Sequence, residues 1–269
     1  MEKTKFIARE TALITGASSG IGEVLAQRCA AAKYDVVLVA RSVDKLQALA
    51  IDLHRQYGVA ATVLAADLAQ AGAAESLAQK LKRKKCQVAL LINCAGVLHQ
   101  GGFAGMASGQ HRSMIDLNIS GLTAMLSAFL PGMVAQGHGR VLNVASVAAF
   151  QPIPTLATYA ATKAYVLSLS ESLAEELRGS GVTITTLCPG ITATQMFAQA
   201  SSENEKLQTL PGFLIGDVQD VADQGLAACL RGDAICVPGA INQAAVIASR
   251  STPKWLVRRI GGLLGRRAL

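Results

Sequence analysis

The sequence TGASSGIG at residues 15–22 decides the fold class of this chain. An apolar run at residues 12–15 precedes it, and a helix-like run at residues 21–32 follows it. Glycines let a backbone turn sharply and approach a pyrophosphate, whose charge then lies among unpaired N–H groups at a helix N-terminus. A glycine-rich turn between a strand and a helix predicts a dinucleotide-binding loop, although an ordinary tight turn has a similar composition. The residues assigned to this loop are Gly16, Ser18, Ser19, Gly20, Ile21 and Gly22.

The rest of the chain continues this alternation of short apolar runs and longer helical runs. Such a pattern is typical of βαβ units around a parallel sheet that is buried on both faces. It predicts an α/β fold, a single-domain Rossmann-type doubly wound sheet with helices on both faces. The predicted strands are 12–15, 36–40, 61–65, 88–92, 140–145, 182–187 and 234–237, and the predicted helices are 21–32, 43–57, 71–84, 110–136, 158–178 and 218–231.

The chain is expected to have one domain and a short tail. No linker or internal repeat divides residues 1–252, and residues 253–269 form a basic amphipathic tail. As a helix, this tail would lie on a membrane surface or cover the domain or a partner, whereas its glycines favour fraying. Residues 191–216 show no clear element, and an irregular insert beyond the carboxyl end of a strand is more often a substrate lid than a linker.

Composition narrows the classes of protein. The 269 residues are 51% hydrophobic, which excludes a disordered chain, and no run reaches the roughly 18 apolar residues of a membrane span. The first ten residues lack the apolar stretch of a secretory signal. Six basic residues from Arg250 onward account for most of the net charge of +7. Because a basic tail is a weak sign of nucleic-acid binding, we expect no nucleic-acid partner.

The cysteines indicate a compartment. Six are scattered along the chain with no C-x-x-C pair and no histidine at metal-ligand spacing. This usage predicts buried thiols in a reducing cytoplasm and no metal site.

The end of the second predicted strand indicates which cofactor binds. A site for NAD usually has an acidic residue here for the ribose hydroxyls, but this chain has Ala40-Arg41-Ser42. Arg41 can bind a 2′-phosphate through two hydrogen bonds, which favours NADP, whereas a solvated arginine is the simpler interpretation. Asp67, after the third strand, can accept a hydrogen bond from an adenine amino group or cap the next helix.

Tyr159 and Lys163 lie one helical turn apart on the same face. A nearby ammonium lowers the pKa of a phenol, so Tyr159 can act as a general acid/base, although a surface contact at this spacing is also common. Ser146 ends the fifth strand and offers a hydroxyl to a carbonyl oxygen. Asn118 lies inside a predicted helix, where asparagine is a poor helix former and can hold a water or distort the helix.

Further polar and small residues follow the fourth and sixth strands. In a doubly wound sheet, the carboxyl ends of the strands open onto the ligand crevice. These residues are Asn93, Ala95 and Gly96 after the fourth strand, and Pro189, Gly190, Thr192 and Thr194 after the sixth.

Taken together, these motifs resemble the short-chain dehydrogenase/reductase family in identity, order and spacing over about residues 10–240. The resemblance implies a sheet of seven parallel strands and hydride transfer to or from C4 of a nicotinamide. It implies that Tyr159 exchanges a proton with the substrate oxygen, that Ser146 holds this oxygen, and that Lys163 binds the nicotinamide ribose and lowers the Tyr159 pKa. The implied cofactor is NADP, and the implied partner is a small carbonyl or alcohol substrate.

The same resemblance assigns the remaining candidate residues. Asn118 would anchor a water linked to Lys163, Thr194 would contact the carboxamide, and Arg41 would hold the 2′-phosphate. Ser42 would assist Arg41, and Asp67 and Leu68 would flank the adenine.

Two further hypotheses concern partners and activity. The fifth and sixth predicted helices are apolar on more than one face, which predicts a homodimer or homotetramer through them. A catalytically silent NADP(H)-binding sensor or scaffold is the alternative to an enzyme. Such a protein would be expected to lack Tyr159, Lys163 or Ser146, and all three are present. Met196, Phe197, Phe213 and Leu214 indicate an apolar substrate.

Overall fold

The computed structural model of this chain describes residues 9–203 and 211–252 and residue 259. Its centre is one sheet of seven parallel strands in the order β3-β2-β1-β4-β5-β6-β7. The strands are β1 (Thr11–Thr15), β2 (Asp35–Ala40), β3 (Ala61–Ala65), β4 (Val88–Asn93), β5 (Gly139–Val144), β6 (Val182–Leu187) and β7 (Ile235–Cys236). The predicted doubly wound sheet is therefore confirmed.

Helices cover both faces of this sheet. They are α1 (Gly20–Ala31), α2 (Val43–Tyr57), α3 (Ala73–Arg83), α4 (Ser108–Ile115), α5 (Leu122–Gln136), α6 (Ala157–Glu176), α7 (Gln195–Glu203), α8 (Val218–Arg231) and α9 (Ala240–Ser251). A π-helical turn, Asp116–Gly121, joins α4 to α5. One apolar layer packs under α1, α2 and α8, and a second packs under α3, α5 and α6.

The sheet order explains the near-continuous apolar strands and places the site. Ala12, Leu13 and Ile14 of β1 are all fully buried, because helices lie on both sides of the strand. β1 pairs with β2 on one side and with β4 on the other. The winding direction therefore reverses between β1 and β4, and the ligand crevice of such a sheet opens at this point.

The observed helices differ from the predicted ones in three places. The helix predicted at residues 110–136 begins at Ser108 and is interrupted by the π-helical turn. Residues 191–216 contain α7, and α9 was not predicted. Hydrophobic periodicity is a weak signal for α9 because Val246 is its one buried hydrophobic residue.

The apolar faces of α5 and α6 are used within the chain. Leu122, Met125, Leu126, Phe129, Val166 and Leu167 are buried, and Leu117, Leu169 and Leu173 pack against the same layer. Most of the apolar residues from which a subunit contact was predicted therefore pack against the sheet of the same chain. Within the described residues, the helical stretch Ser108–Gln136 is long and apolar enough to span a membrane, and its second part, α5, packs on the sheet. The predictions on the tail fall on residues 253–269, which lie outside the described residues apart from Arg259.

Stability is expected to fall as the pH rises above about 9, because the core holds buried thiols. Burial raises the pKa of Cys188 and Cys229 from 9.0 to about 12, and it also raises the pKa of Cys29. Unfolded thiols lose protons from pH 9.0 upward while the folded ones keep them, so stability is full below this pH and declines towards pH 12.

Urea unfolding across this pH range measures the decline. The free energy of unfolding should fall less steeply with pH in Cys229→Ala than in the matched variant Cys86→Ala, whose thiol is only partly buried. Equal slopes in the two variants would contradict the role of the buried thiols.

Candidate active site

The glycine-rich loop after β1 packs against the end of β4. Gly16 has a φ of +69°, and a Cβ at this position would lie 2.9 Å from the backbone of Ala95. A Cβ on Gly22 would lie 2.3 Å from the carbonyl oxygen of Gly16. The Thr15 hydroxyl accepts hydrogen bonds from the backbone N–H groups of Cys94 and Ala95, each at 3.0 Å. Glycine is therefore required at residues 16 and 22, and the loop and the end of β4 form one wall.

The loop leads directly into the N-terminus of α1. Ser19 is the N-cap residue, and its side chain makes no capping hydrogen bond. The N-terminal N–H groups of a helix that has no side-chain cap are available to an anion. A Cβ on Gly20 would lie 3.3 Å from the Thr194 side chain, so the segment after β6 closes over the loop. This cradle fits the pyrophosphate of a dinucleotide.

Tyr159 and Lys163 lie on the buried face of α6, where they are 9% and 6% exposed. The Lys163 Nζ donates a hydrogen bond of 2.9 Å to the carbonyl oxygen of Val144, at the end of β5. It lies 5.7 Å from the centre of the Tyr159 ring. The spacing that predicted a common face is thus confirmed, and the alternative of a surface pair is wrong.

Burial sets the protonation of this pair. It raises the pKa of Tyr159 from 10.0 to about 12, and the hydrogen bond with Ser146 offsets part of this rise. It lowers the pKa of Lys163 from 10.5 to about 8. The lowering of the Tyr159 pKa that was expected from Lys163 is therefore not found, because removal from water has the largest effect on this phenol. Tyr159 is a protonated phenol at neutral pH, which is the form that a proton donor needs.

Ser146 joins β5 to the segment after β6. Its hydroxyl accepts a hydrogen bond from the Ala148 N–H at 3.1 Å and donates one to the carbonyl oxygen of Pro189 at 3.4 Å. The Val147 N–H donates to the same carbonyl at 2.9 Å. These contacts hold the Ser146 hydroxyl beside the Tyr159 phenol, so both groups can reach one substrate oxygen.

Asn118 lies in the π-helical turn and is 1% exposed. Its amide donates to the Val97 carbonyl at 2.9 Å and to the Thr162 hydroxyl at 3.1 Å, and its Oδ1 accepts from the Val97 N–H at 2.9 Å. The helix takes this wider turn close to another segment, since a Cβ on Gly121 would lie 2.5 Å from the Leu68 carbonyl oxygen. Asn118 thus ties the chain after β4 to α6, and the predicted helix distortion is present.

A buried chain of hydrogen bonds runs below the site. The Asn93 amide donates to Asn143 Oδ1 at 2.9 Å, and the Asn143 amide donates to the Ser170 hydroxyl at 2.9 Å. This chain fixes α6 against β4 and β5. Asn93, assigned to the cofactor from sequence, is 3% exposed and does not line the cavity described next.

A cavity of about 760 Å³ brings most of the predicted residues together. The loop after β1 forms one end of it, and the Ser146, Tyr159 and Lys163 side chains lie along its wall. The other predicted residues that line it are Gly16, Ser19, Gly20, Ile21, Gly22, Gly96, Pro189, Gly190, Thr192 and Thr194. The arrangement suits a nucleotide and a second small molecule in one space.

Other predicted residues lie outside this cavity. Arg41 and Ser42 are exposed after β2, and Arg41 forms no ion pair or hydrogen bond with any described residue. Ser18 lines a separate groove between α1 and α2. The Asp67 carboxylate accepts from the Ala69 N–H at 3.1 Å within a turn, so it does not cap α3, and the Leu68 side chain is buried in the core.

Sequence reasoning gave His111 no role, but the structure places it beside the site. Its Nδ1 is 2.7 Å from the Thr158 hydroxyl, which belongs to the residue before Tyr159. Its Nε2 is 3.3 Å from the carbonyl oxygen of Phe103. His111 therefore links the segment after β4 to the first turn of α6. A lone histidine in a helix carries no sequence signal for such a link.

Comparison with known proteins agrees with this geometry. A profile of the short chain dehydrogenase family matches residues 10–205. The chain therefore belongs to the short-chain dehydrogenase family, whose members are oxidoreductases. Oxidoreductase UcpA of Escherichia coli is 31% identical over 235 residues, which cover 83% of this chain and 88% of that protein.

Two solved structures show the same architecture. A short-chain dehydrogenase from Sphingobium yanoikuyae in complex with NADPH is 35% identical, with a TM-score of 0.78 over 90% of this chain and 93% of that one. A bulky-bulky ketone specific alcohol dehydrogenase from Comamonas testosteroni is 30% identical, with a TM-score of 0.76 over 90% of this chain and 92% of that one.

Proposed function

We propose that this protein is an NADP(H)-dependent oxidoreductase that interconverts a carbonyl and a secondary alcohol on an apolar substrate, with Tyr159 as general acid/base. The observation that carries the proposal is the convergence of Tyr159, Lys163 and Ser146 on the cavity that also contains the glycine-rich loop. Loss of any of these side chains would favour a silent sensor or scaffold, and all three are present and face the same space.

The choice of NADP rests on charge at the end of β2. Arg41 is exposed and has no partner among the described residues. Its neighbours in sequence, Ala40 and Ser42, are not acidic. A guanidinium matches the geometry of a phosphate, whereas a carboxylate would be needed for the ribose hydroxyls of NAD. The cofactor-bound relative from Sphingobium yanoikuyae, which holds NADPH, supports the same choice.

The bound cofactor would supply or accept the hydride. In reduction, the Tyr159 phenol gives its proton to the substrate oxygen, which the Ser146 hydroxyl orients by a hydrogen bond. In oxidation, the phenolate takes this proton from the alcohol. Lys163 would hold ribose hydroxyls of the cofactor, and its ammonium would stabilise the phenolate, because both groups are removed from water. Asn118 holds Val97 and α6 in place around Tyr159 and Lys163 through its hydrogen bonds.

A cofactor-consumption screen tests the proposal. NADPH oxidation is followed at one enzyme concentration across aryl ketones, aliphatic ketones, aldehydes and 2-keto acids, with NADH in parallel. We expect turnover with NADPH and an uncharged ketone. Binding of NADPH without turnover of any carbonyl or alcohol would instead support the sensor or scaffold.

We also propose a cytoplasmic homo-oligomer. The cysteines described in the structure are free thiols, which agrees with a reducing compartment. Ile115, Val134 and Tyr165 are exposed on α4, α5 and α6, so these helices still offer apolar contacts to a second subunit. Sedimentation at micromolar concentration should give a dimer or tetramer, and a single monomeric species would contradict it.

A further inference from the structure

We infer that the substrate is an uncharged ketone or secondary alcohol with a bulky apolar group on each side of the reacting carbon, and that Ala248 on α9 limits the size of one of these groups. The inference rests on the proposed function and concerns the same cavity. Ala248 lies on a helix that was not predicted from sequence.

The order of the strands places walls on both sides of the reacting groups. Ser146 follows β5, which lies between β4 and β6 in the sheet. Tyr159 and Lys163 are on α6. The chain after β4 forms the wall on one side, and the chain after β6 forms the wall on the other. The helix α9 follows β7 and packs against the segment after β6, since a Cβ on Gly190 would lie 2.5 Å from the Asn242 side chain.

Both walls are apolar. Leu98 lines the first side, and both Leu98 and Ile153, which follows β5, pack against the small cluster that contains Tyr159. Met196 and Phe197 of α7 line the second side. A carbonyl carbon beside Tyr159 therefore has apolar surface in both directions, and burying an apolar group contributes about 25 cal/mol per Å².

The walls also carry little charge. Among the described residues that line the cavity, Lys163 is the one with a charged side chain, and its ammonium already donates to Val144. The polar side chains that line the cavity away from the reacting groups are neutral: they are the amides of Gln100, Gln151 and Gln195 and the hydroxyls of serines and threonines. A carboxylate or phosphate on the substrate would be desolvated here without a cation of its own, which is costly.

Small residues of α9 form the far limit of the second side. Ala245 and Ala248 line the cavity on the same face of the helix, with Ser249 beside them. Ala248 and the adjacent Ile247 are both exposed, but Ile247 does not line the cavity. A large side chain at residue 248 would fill the space of one bulky group, whereas the same side chain at residue 247 would extend into solvent.

The test compares Ala248→Phe with Ile247→Phe on two neutral ketones. Benzophenone has a phenyl group on each side of the carbonyl, and acetophenone has one phenyl and one methyl group. We expect wild-type protein to reduce both ketones with NADPH, and Ala248→Phe to lose at least about tenfold in kcat/KM for benzophenone relative to acetophenone, the effect of removing one apolar contact of about 1.4 kcal/mol. Ile247→Phe should retain the wild-type ratio.

Two further measurements separate the possible failures. NADPH binding, followed by cofactor fluorescence, should be unchanged in both variants, and 4-acetylbenzoate should be a much poorer substrate than acetophenone. If the wild type reduces ketones but Ala248→Phe and the second variant Ala245→Phe keep its benzophenone to acetophenone ratio, the inference on α9 is overturned and the proposed function stands. If the wild type binds NADPH but reduces no ketone, both are overturned.

Discussion

Tyr159→Phe is expected to lower kcat for every accepted ketone by about 10²- to 10⁴-fold, the usual contribution of a general acid. The phenol lies buried beside Ser146, and phenylalanine keeps its shape without its hydroxyl. NADPH affinity should change little, because the glycine-rich loop and Lys163 remain. Stopped-flow reduction together with fluorescence titration of NADPH measures the two effects separately.

Tyr165→Phe is the matched control on the same helix. Tyr165 is 37% exposed, and its hydroxyl is 2.9 Å from that of Thr123, away from the cavity. This variant should keep wild-type turnover. Substantial activity in Tyr159→Phe with any accepted ketone would mean that a different group supplies the proton.

Arg41→Ala is expected to narrow the preference for NADPH over NADH by about 1.5 to 3 kcal/mol, the range of a hydrogen bond to a charged group. The affinity for NADPH should decrease and that for NADH should not, since NADH has no 2′-phosphate for Arg41 to bind. Titration of both cofactors against wild type and variant gives the difference directly, and raising the salt concentration should reduce the wild-type preference.

Arg83→Ala removes another exposed arginine, from the end of α3, and should leave the preference for NADPH over NADH unchanged. Equal affinities of the wild type for NADPH and NADH would exclude the assignment of Arg41. A preference that survives Arg41→Ala intact would place the 2′-phosphate on another group.

The strands and the glycine-rich loop could be predicted from sequence because local chemistry determines them. A strand buried on both faces must be apolar along its length, as in β1, and glycine is required where a Cβ would meet backbone, as at Gly16 and Gly22. The Tyr159–Lys163 pair was predictable for a similar reason, since helical spacing alone puts both residues on one face.

What could not be predicted depends on contacts distant in sequence. The protonation of Tyr159 follows from burial by several segments, and an i,i+4 spacing does not report it. The role of His111 depends on Thr158 and Phe103, which only the folded chain brings near it. The helix α9 has one buried hydrophobic residue, so its position over the cavity follows from packing and not from a periodic pattern.

The π-helical turn at Asp116–Gly121 determines how Asn118 is rotated about the helix axis relative to α5. The wider turn contains one residue more than an α-helix would use for the same rise, and each residue of an α-helix rotates the chain by about 100°. A one-residue deletion between Asn118 and α5 would restore a regular helix and rotate Asn118, together with the residues before it, relative to α5. Asn118 and Val97 would then lose their paired hydrogen bonds, although neither had been replaced. The alignment of this site therefore depends on the number of residues in the turn as well as on their identity.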